Sequence, residues 1–285
     1  MKSILLTGAA GMLGSSIFQA YSDKFKIIPI TRESLDITDL KAVTSIVRDL
    51  SPDVIIHAAA YTNVEQAESS PDECYRVNYI ATMNLLNAAK KTNSKLIYPS
   101  STGCYGDHKT EPYLEYDPVL PTTVYHRSKF EGEKAVIELS ENFLILRLGW
   151  LYGGDVRHKK NFVYNRFLEA KKEKSIISDP FQFGNPTNVA EVAKQIEQLI
   201  AQDVVGTFNL VSEGSCSRYE YVKAIIEEFN LNCEVIKANT PFKRKARVSP
   251  NEAAINFNLK TMGLDLMNDW HLSLSAYINN LKQNV

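Results

Sequence analysis

Short apolar runs alternate with amphipathic stretches through the first half of the chain. The run "SILLTG", residues 3–8, is apolar and closed by glycine, the pattern of a strand buried on both faces of a parallel sheet. "LGSSIFQAYSD" continues as a helix, and "KIIPI" reads as a second strand whose Pro29 calls for an irregular edge. "DLKAVTSIVRDL" has helical spacing behind an aspartate suited to an N-cap. "DVIIHAAA" is a third strand running into small residues, and "PDECYRVNYIATMNLLNAAKKT" one long helix with proline in its first turn. "KLIYPSS" is a fourth strand, "TVYHRSKFEGEKAVIELS" a helix and "FLILRLGWLYG" a further strand. This alternation predicts an α/β fold, a Rossmann-type doubly wound parallel sheet with helices on both faces.

After residue 153 the pattern changes. "VRHKKNFVYNRFLEAKKEK" reads as a basic amphipathic helix and "DPFQFGNPT" as a proline-broken loop. "VAEVAKQIEQLIAQ" is helical, "GTFNLVS" a strand, and "SRYEYVKAIIEEF" a helix followed by a short irregular end. The expected organisation is a dinucleotide-binding domain over residues 1–153 and a mainly substrate-binding lobe over 154–285. Segments near 188–212 are expected to return to the first domain.

Composition narrows the function classes. The 285 residues are 44% hydrophobic and 23% charged with net charge −1, so no basic block points to nucleic acid. The apolar run "ILL" in "MKSILLTGAAGMLG" is shorter than a secretion signal needs, and no stretch approaches a membrane span. Cys74, Cys104, Cys216 and Cys233 form no CxxC pair, which fits a reducing cytoplasm better than disulfides or zinc. The histidines at 57, 108, 126, 158 and 271 are scattered, and no metal site is expected. His126 is expected to point away from Tyr125 into solvent. The "RHKK" run is expected to be a wet helix face rather than a phosphate-binding patch. A homodimer is open as an expectation, with no apolar stripe to name for it.

The glycines of "TGAAGMLG", Gly8, Gly11 and Gly14, stand between a predicted strand and a predicted helix. Glycine there permits a tight turn and lets the backbone approach a pyrophosphate, which the helix N-terminus stabilises. The second strand ends in "ITRES", with Arg32 where an acid would take the ribose 2′-hydroxyl of NAD. A guanidinium suits a 2′-phosphate, so NADP(H) is favoured over NAD(H), against the plainer reading of Arg32 as a surface residue. The "LDITD" segment reads as a helix cap or as a wall beside adenine. Ala58, Ala59 and Ala60 give either tight helix–sheet packing or room for a flat cofactor at the ligand-binding edge of the sheet.

"TVYHRSKFEGEK" sets Tyr125 and Lys129 one helical turn apart on the same face. On its own this spacing is common and carries little. Ser101 closes the fourth strand at the same sheet edge as the glycine loop and the alanines. A lysine cation near a phenol lowers its pKa from near 10, and a serine hydroxyl can hold a substrate oxygen in line.

Together these residues resemble the extended short-chain dehydrogenase/reductases. "VIIHAAAYTNVEQAE", Val77–Asn78, "ILRLGWLYG", Asn161–Val163, "QFGNPT" and "GTFNLVSEGSCS" resemble dTDP-4-dehydrorhamnose reductases and their relatives over nearly the whole chain. The resemblance implies reduction of a 4-keto group on a nucleotide-activated 6-deoxysugar. It implies Tyr125 as general acid, Lys129 on the nicotinamide ribose, and Ser101 where the family usually has threonine. It sets Gly11, Met12 and Leu13 near the pyrophosphate, Asp36 and Ile37 near the adenosine, Ala60, Tyr61 and Thr62 by the nicotinamide, and Trp150 against the sugar. The chain departs from the family's S-T-D-Y-V-F with S-S-T-G-C-Y, so Thr102 replaces an aspartate. That stretch looks more like the wider family's epimerases and dehydratases, which leaves an epimerase or dehydratase with tightly held NAD as an alternative. A non-catalytic regulatory homologue is the other, against which the intact Ser101, Tyr125 and Lys129 set speaks.

Overall fold

The structure is a computed structural model describing residues 1–283. In chain order its first half comprises β1 (Ser3–Thr7), α1 (Met12–Tyr21), β2 (Lys26–Ile30), α2 (Leu40–Leu50), β3 (Val54–His57), α3 (Val64–Ala67), α4 (Pro71–Tyr75), α5 (Ala81–Thr92), β4 (Lys95–Ser101), α6 (Val124–Leu139), β5 (Phe143–Leu148) and β6 (Trp150–Tyr152). There follow α7 (Phe162–Ala170), β7 (Ser175–Ser178), β8 (Phe183–Gly184), β9 (Pro186–Asn188), α8 (Val189–Ala201), β10 (Gly206–Leu210), β11 (Cys216–Ser217), α9 (Arg218–Phe229), β12 (Glu234–Lys237), α10 (Phe257–Thr261) and α11 (Trp270–Lys282).

Six parallel strands form the main sheet in the order β10-β5-β4-β3-β1-β2. The side-chain period of two sends alternate residues to opposite faces. Ile4, Leu6, Ile56 and Ile97 meet Ile17, Val192 and Ile196 of α1 and α8, while Leu5, Ile55, Leu96 and Ile145 meet Val43, Leu85 and Val136 of α2, α5 and α6. Such side chains contribute about 1.5–3 kcal/mol each when fully buried, which is why the strands read as continuous apolar runs. Pro29 lies in the edge strand β2, where only one side needs a partner.

Several elements differ from the sequence pattern. The long helix after Pro71 is interrupted by a π turn at Arg76–Ile80. The strand read through "FLILRLGWLYG" breaks at Gly149, where a Cβ would come within 2.5 Å of the Asn185 carbonyl oxygen. Trp150–Tyr152 therefore leaves the main sheet and pairs with β9, inside the stretch expected to be loop. The helix expected from residue 156 starts only at Phe162, behind Asn161, whose side chain accepts from Tyr164 N at 3.2 Å. The expected irregular end instead holds β12, α10 and the 13-residue α11, capped by Asp269. In α11, Trp270, Leu274 and Ile278 pack with Tyr152, Tyr221 and Phe229 in a separate core. Among the described residues no helix is long and apolar enough to cross a membrane.

Candidate active site

The glycine turn, the alanines after β3, and Tyr125 and Lys129 gather at the C-terminal edge of the sheet. Gly8 has φ +68°, and a Cβ on it would lie 2.6 Å from Ala59 N. A Cβ on Gly14 would lie 2.1 Å from the Gly8 carbonyl oxygen. The turn is thus a cradle that side chains would fill. It opens α1 at an N-cap, Gly11, that has no side-chain cap, so the first N–H groups of the helix are left for a ligand.

A groove of about 600 Å³ follows this edge, within the usual range for a ligand site. Gly8, Gly11, Met12, Leu13, Gly14, Arg32, Asp36, Ile37, Ala58, Ala59, Ala60, Tyr61, Thr62, Tyr125 and Lys129 all border it. At one end the Asp36 carboxylate accepts from Thr38 N at 2.9 Å and Thr38 Oγ1 at 2.8 Å, which hold its pKa below the usual range. Arg76, unpredicted from sequence, reaches the same end from the π turn. It donates to both Glu73 carboxylate oxygens at 2.8 and 2.9 Å and to Thr38 Oγ1 at 3.1 Å. Arg32 makes no ion pair among the described residues.

Further along, Asn78 of the π turn accepts from Tyr61 N at 2.8 Å and donates to Tyr61 O and Ser128 Oγ at 3.1 and 2.9 Å. One buried amide therefore ties the Ala60–Thr62 segment to α6. The turn's irregularity has a use, as π turns at binding sites often do.

On α6, capped by Thr123, Tyr125 and Lys129 both face the groove. Lys129 is buried, with its ammonium 3.9 Å from the centre of the Tyr98 ring and no hydrogen bond among the described residues. Burial pulls its pKa down to about 8. The pKa of Tyr125 is raised by burial, then by Cys104, Cys74 and Glu252, so the expected lowering by Lys129 is overturned. Desolvation dominates, and it favours the protonated phenol. His57, also on the groove, binds Thr7 Oγ1 through Nδ1 at 2.9 Å, while its buried Nε2 has no partner. Burial drops its pKa to about 3, so the ring is neutral.

The residues named for the substrate lie apart from the groove lining. Ser101 Oγ accepts from Gly103 N at 3.3 Å as the cap of a 3₁₀ turn, Thr102–Tyr105, and Ser100 borders the groove in its place. Thr102 is buried in that turn. Trp150 donates from Nε1 to Glu252 at 2.6 Å, and the Arg218 guanidinium lies 3.4 Å from its ring centre. Arg218 and Glu252 escaped the sequence reading because only the fold brings them to Trp150.

Two histidine-bearing segments also correct the expectations. His126 is buried rather than solvated, with Nδ1 bound to Thr123 Oγ1 at 3.0 Å and its ring 5.0 Å from that of Tyr125. Room for it exists because residue 103 is glycine, where a Cβ would lie 2.2 Å from His126 Nε2. The "RHKK" run is a turn at the groove, not a helix face, and His158, Lys159 and Lys160 border the groove.

The free helix N-terminus, the side-chain-free cradle, the orphaned His57 nitrogen and the unpartnered Lys129 ammonium together fit a dinucleotide. Among the described residues no group of His, Cys, Asp or Glu is arranged to hold a metal ion.

A second hollow of about 380 Å³ is bordered by Phe181, Phe242, Arg244, Lys245 and Arg247. Its loop is fastened to the first half of the chain by Glu65, which accepts from Arg244 Nε at 2.6 Å and from Lys245 N and Ala246 N at 2.9 and 3.1 Å.

Known proteins resemble this chain in sequence and fold. The dTDP-4-dehydrorhamnose reductase of Aggregatibacter actinomycetemcomitans is 33% identical, with 80% of this chain and 79% of that one aligned. Bovine methionine adenosyltransferase 2 subunit beta is 30% identical over 92% of this chain and 83% of its own. The dTDP-4-dehydrorhamnose reductase of Bacillus anthracis, solved in complex with NADP, superposes with a TM-score of 0.94 at 31% identity, covering 98% of this chain and 100% of that one. The family model for the RmlD substrate binding domain matches residues 1–283. Fold and sequence agree that this chain belongs to that family, the dTDP-4-dehydrorhamnose reductase-like branch of the extended short-chain dehydrogenase/reductases.

Proposed function

We propose that this protein is an NADPH-dependent reductase of a 4-keto-6-deoxysugar carried on a nucleoside diphosphate. The observation that carries the reading is that Tyr125 and Lys129, one turn apart on α6, both line the glycine-rich groove. A bound nicotinamide supplies the hydride to the ketone carbon. Tyr125, kept protonated by burial, donates its proton to the ketone oxygen as negative charge develops there. Lys129 offers three N–H donors and a positive charge to the nicotinamide ribose and to the phenolate left behind. Ser101 stands one residue from the groove-lining Ser100, and rotation away from Gly103 N would free its hydroxyl for the substrate oxygen. Arg32 and Arg76 supply charge for a 2′-phosphate, which supports NADPH as the reductant.

The nucleoside end of the substrate fits the second hollow. Phe181 and Phe242 offer exposed faces for a base, and three basic residues offer charge for a diphosphate. Arg218, stacked on Trp150, adds a further guanidinium that could meet an anionic substrate group.

The test is purified protein with NADPH and a panel of dTDP-, UDP-, GDP- and CDP-linked 4-keto-6-deoxysugars. The expected outcome is stoichiometric loss of NADPH fluorescence with one of them. Protein that arrives carrying NAD and interconverts sugars without consuming NADPH would select an epimerase instead. The similarity to a methionine adenosyltransferase subunit favours a second reading, a regulatory subunit. NADPH binding without turnover, together with tight binding to a second enzyme, would select that one.

A further inference from the structure

The turn between Gly154 and Asn161 has a construction that packing alone does not require. Its two ends converge on one phenol: Asn161 Nδ2 donates to Tyr277 Oη at 2.6 Å, and Tyr277 Oη donates to Gly154 O at 3.2 Å. Asn161 Nδ2 also donates to Asp155 O at 3.3 Å, so the base of the loop is closed from within. Loops of this kind hold their shape by their own contacts.

The tip reaches both walls of the cofactor groove. His158 Nδ1 accepts from Asp155 N at 3.1 Å, an arrangement that puts the ring N–H on Nε2. Nε2 then donates to Ser15 Oγ at 3.2 Å, and Ser15 Oγ donates to Met12 O at 3.2 Å, in the first turn of α1. On the opposite wall Lys160 Nζ donates to Thr62 Oγ1. The loop therefore spans from the helix that ends the glycine turn to the segment that follows β3.

Lys159 and Lys160 have no carboxylate partner among the described residues, although Asp155 is near and is taken by Arg157 at 2.5 Å. Lys160 is partly desolvated, and that burial lowers its pKa. Two uncompensated ammonium groups bordering a groove with a free helix N-terminus describe a site for a doubly charged anion.

We infer that residues 154–161 form a latch over the dinucleotide groove: His158 and Lys160 fasten it to the two walls, and Lys159 and Lys160 add charge to the diphosphate of the bound cofactor. The inference rests on the reading of the groove as an NADPH site. It adds that cofactor release requires the latch to lift, so release is slower than the groove alone would make it.

The test uses NADPH fluorescence titration and a stopped-flow chase of bound NADPH, without any sugar. Removing both charges in Lys159→Met/Lys160→Met is expected to weaken NADPH binding at least about tenfold, the order of one charged hydrogen bond. Ser15→Ala is expected to speed release severalfold, and Lys160→Arg to stay within about twofold of the parent. Adenosine 2′-monophosphate, which lacks the diphosphate, is expected to bind parent and double variant alike in displacement of NADPH. Unchanged affinity and release in the variants, with normal binding by the parent, would overturn the latch alone. Equal weakening of both ligands would overturn the diphosphate contact. A parent protein that bound no NADPH would overturn the latch together with the reductase reading.

Discussion

The Lys129 ammonium sits 3.9 Å over the face of Tyr98, whose own hydroxyl donates to Lys129 O at 3.1 Å. The ring gives the cation a partial partner, but burial still lowers the lysine pKa from 10.5 to about 8. The unfolded chain keeps this proton up to near pH 10.5, so between pH 8 and 10.5 it binds more protons than the folded one. Stability of the cofactor-free protein therefore rises with pH through that window, and below pH 8 the whole penalty is present. The penalty is of the order of 3 kcal/mol. Lys129→Met is expected to raise the cofactor-free unfolding temperature at pH 7 by roughly 4–8 °C while abolishing turnover. The gain is expected to vanish by about pH 10.5. Calorimetry at both pH values checks this, and a midpoint that does not move at pH 7 would count against the buried charge.

Tyr125 gives a second prediction with the opposite sign. Its pKa is raised by burial, so its acid form persists through neutral and mildly alkaline pH. The alkaline limb of kcat/KM is therefore expected from Lys129, near pH 8, and not from the phenol. Tyr125→Phe is expected to lower kcat by about 10²–10⁴ with NADPH affinity nearly unchanged. Full turnover in that variant would refute its role as proton donor.

How much of this was readable beforehand follows from how local each signal is. The glycine turn and the Tyr125–Lys129 spacing are short-range patterns set by strand and helix periods, and they were legible at once. Arg76 was not, because its reach to the Asp36 end of the groove depends on a π turn inside a sequence with ordinary helical spacing. His126 was misjudged for a similar reason: whether position 126 is wet depends on Gly103, which is distant in the chain. The "RHKK" run looked helical because charge and apolar spacing continue smoothly into α7, while the Asn161 cap that starts the helix was overlooked. Ser101 was placed at the right edge, but its hydroxyl direction is decided by the 3₁₀ turn after it.

Cofactor choice is testable at two arginines. Arg32 makes no ion pair among the described residues, and Arg76 spends one face on Glu73, yet both border the groove with Asp36. Arg32→Ala and Arg76→Ala are each expected to weaken NADPH binding about tenfold and leave NADH within about threefold. Parallel titrations of the two cofactors measure the difference. Equal losses for both would assign the arginines to structure instead of 2′-phosphate recognition.

The helix that carries Tyr125 and Lys129 is pinned one turn further on by an ion pair inside the core. Glu133 is fully buried, and its carboxylate accepts from Arg147 Nε at 3.2 and 3.1 Å and from Arg147 Nη2 at 2.8 Å. Arg147, on β5, also donates from Nη1 to Tyr105 Oη at 3.0 Å, so the pair ties α6 to the sheet and to the turn after Ser101. Glu133 leads the causes that raise the Arg147 pKa against the larger opposing effect of burial. An arginine side chain does not give up its proton in proteins, so the guanidinium stays charged even without Glu133. Glu133→Leu strands that charge and is expected to cost about 3–5 kcal/mol. Pairing it with Arg147→Met removes the stranded charge and is expected to recover most of the loss, since apolar replacements of buried pairs are often neutral. If the pair serves position as well as stability, the double variant will bind NADPH normally yet turn over slowly, because α6 has lost its fixed register over the sheet. Denaturant unfolding and single-turnover rates separate the two effects. A double variant with both restored would leave Glu133 and Arg147 with no part in holding Tyr125 in place.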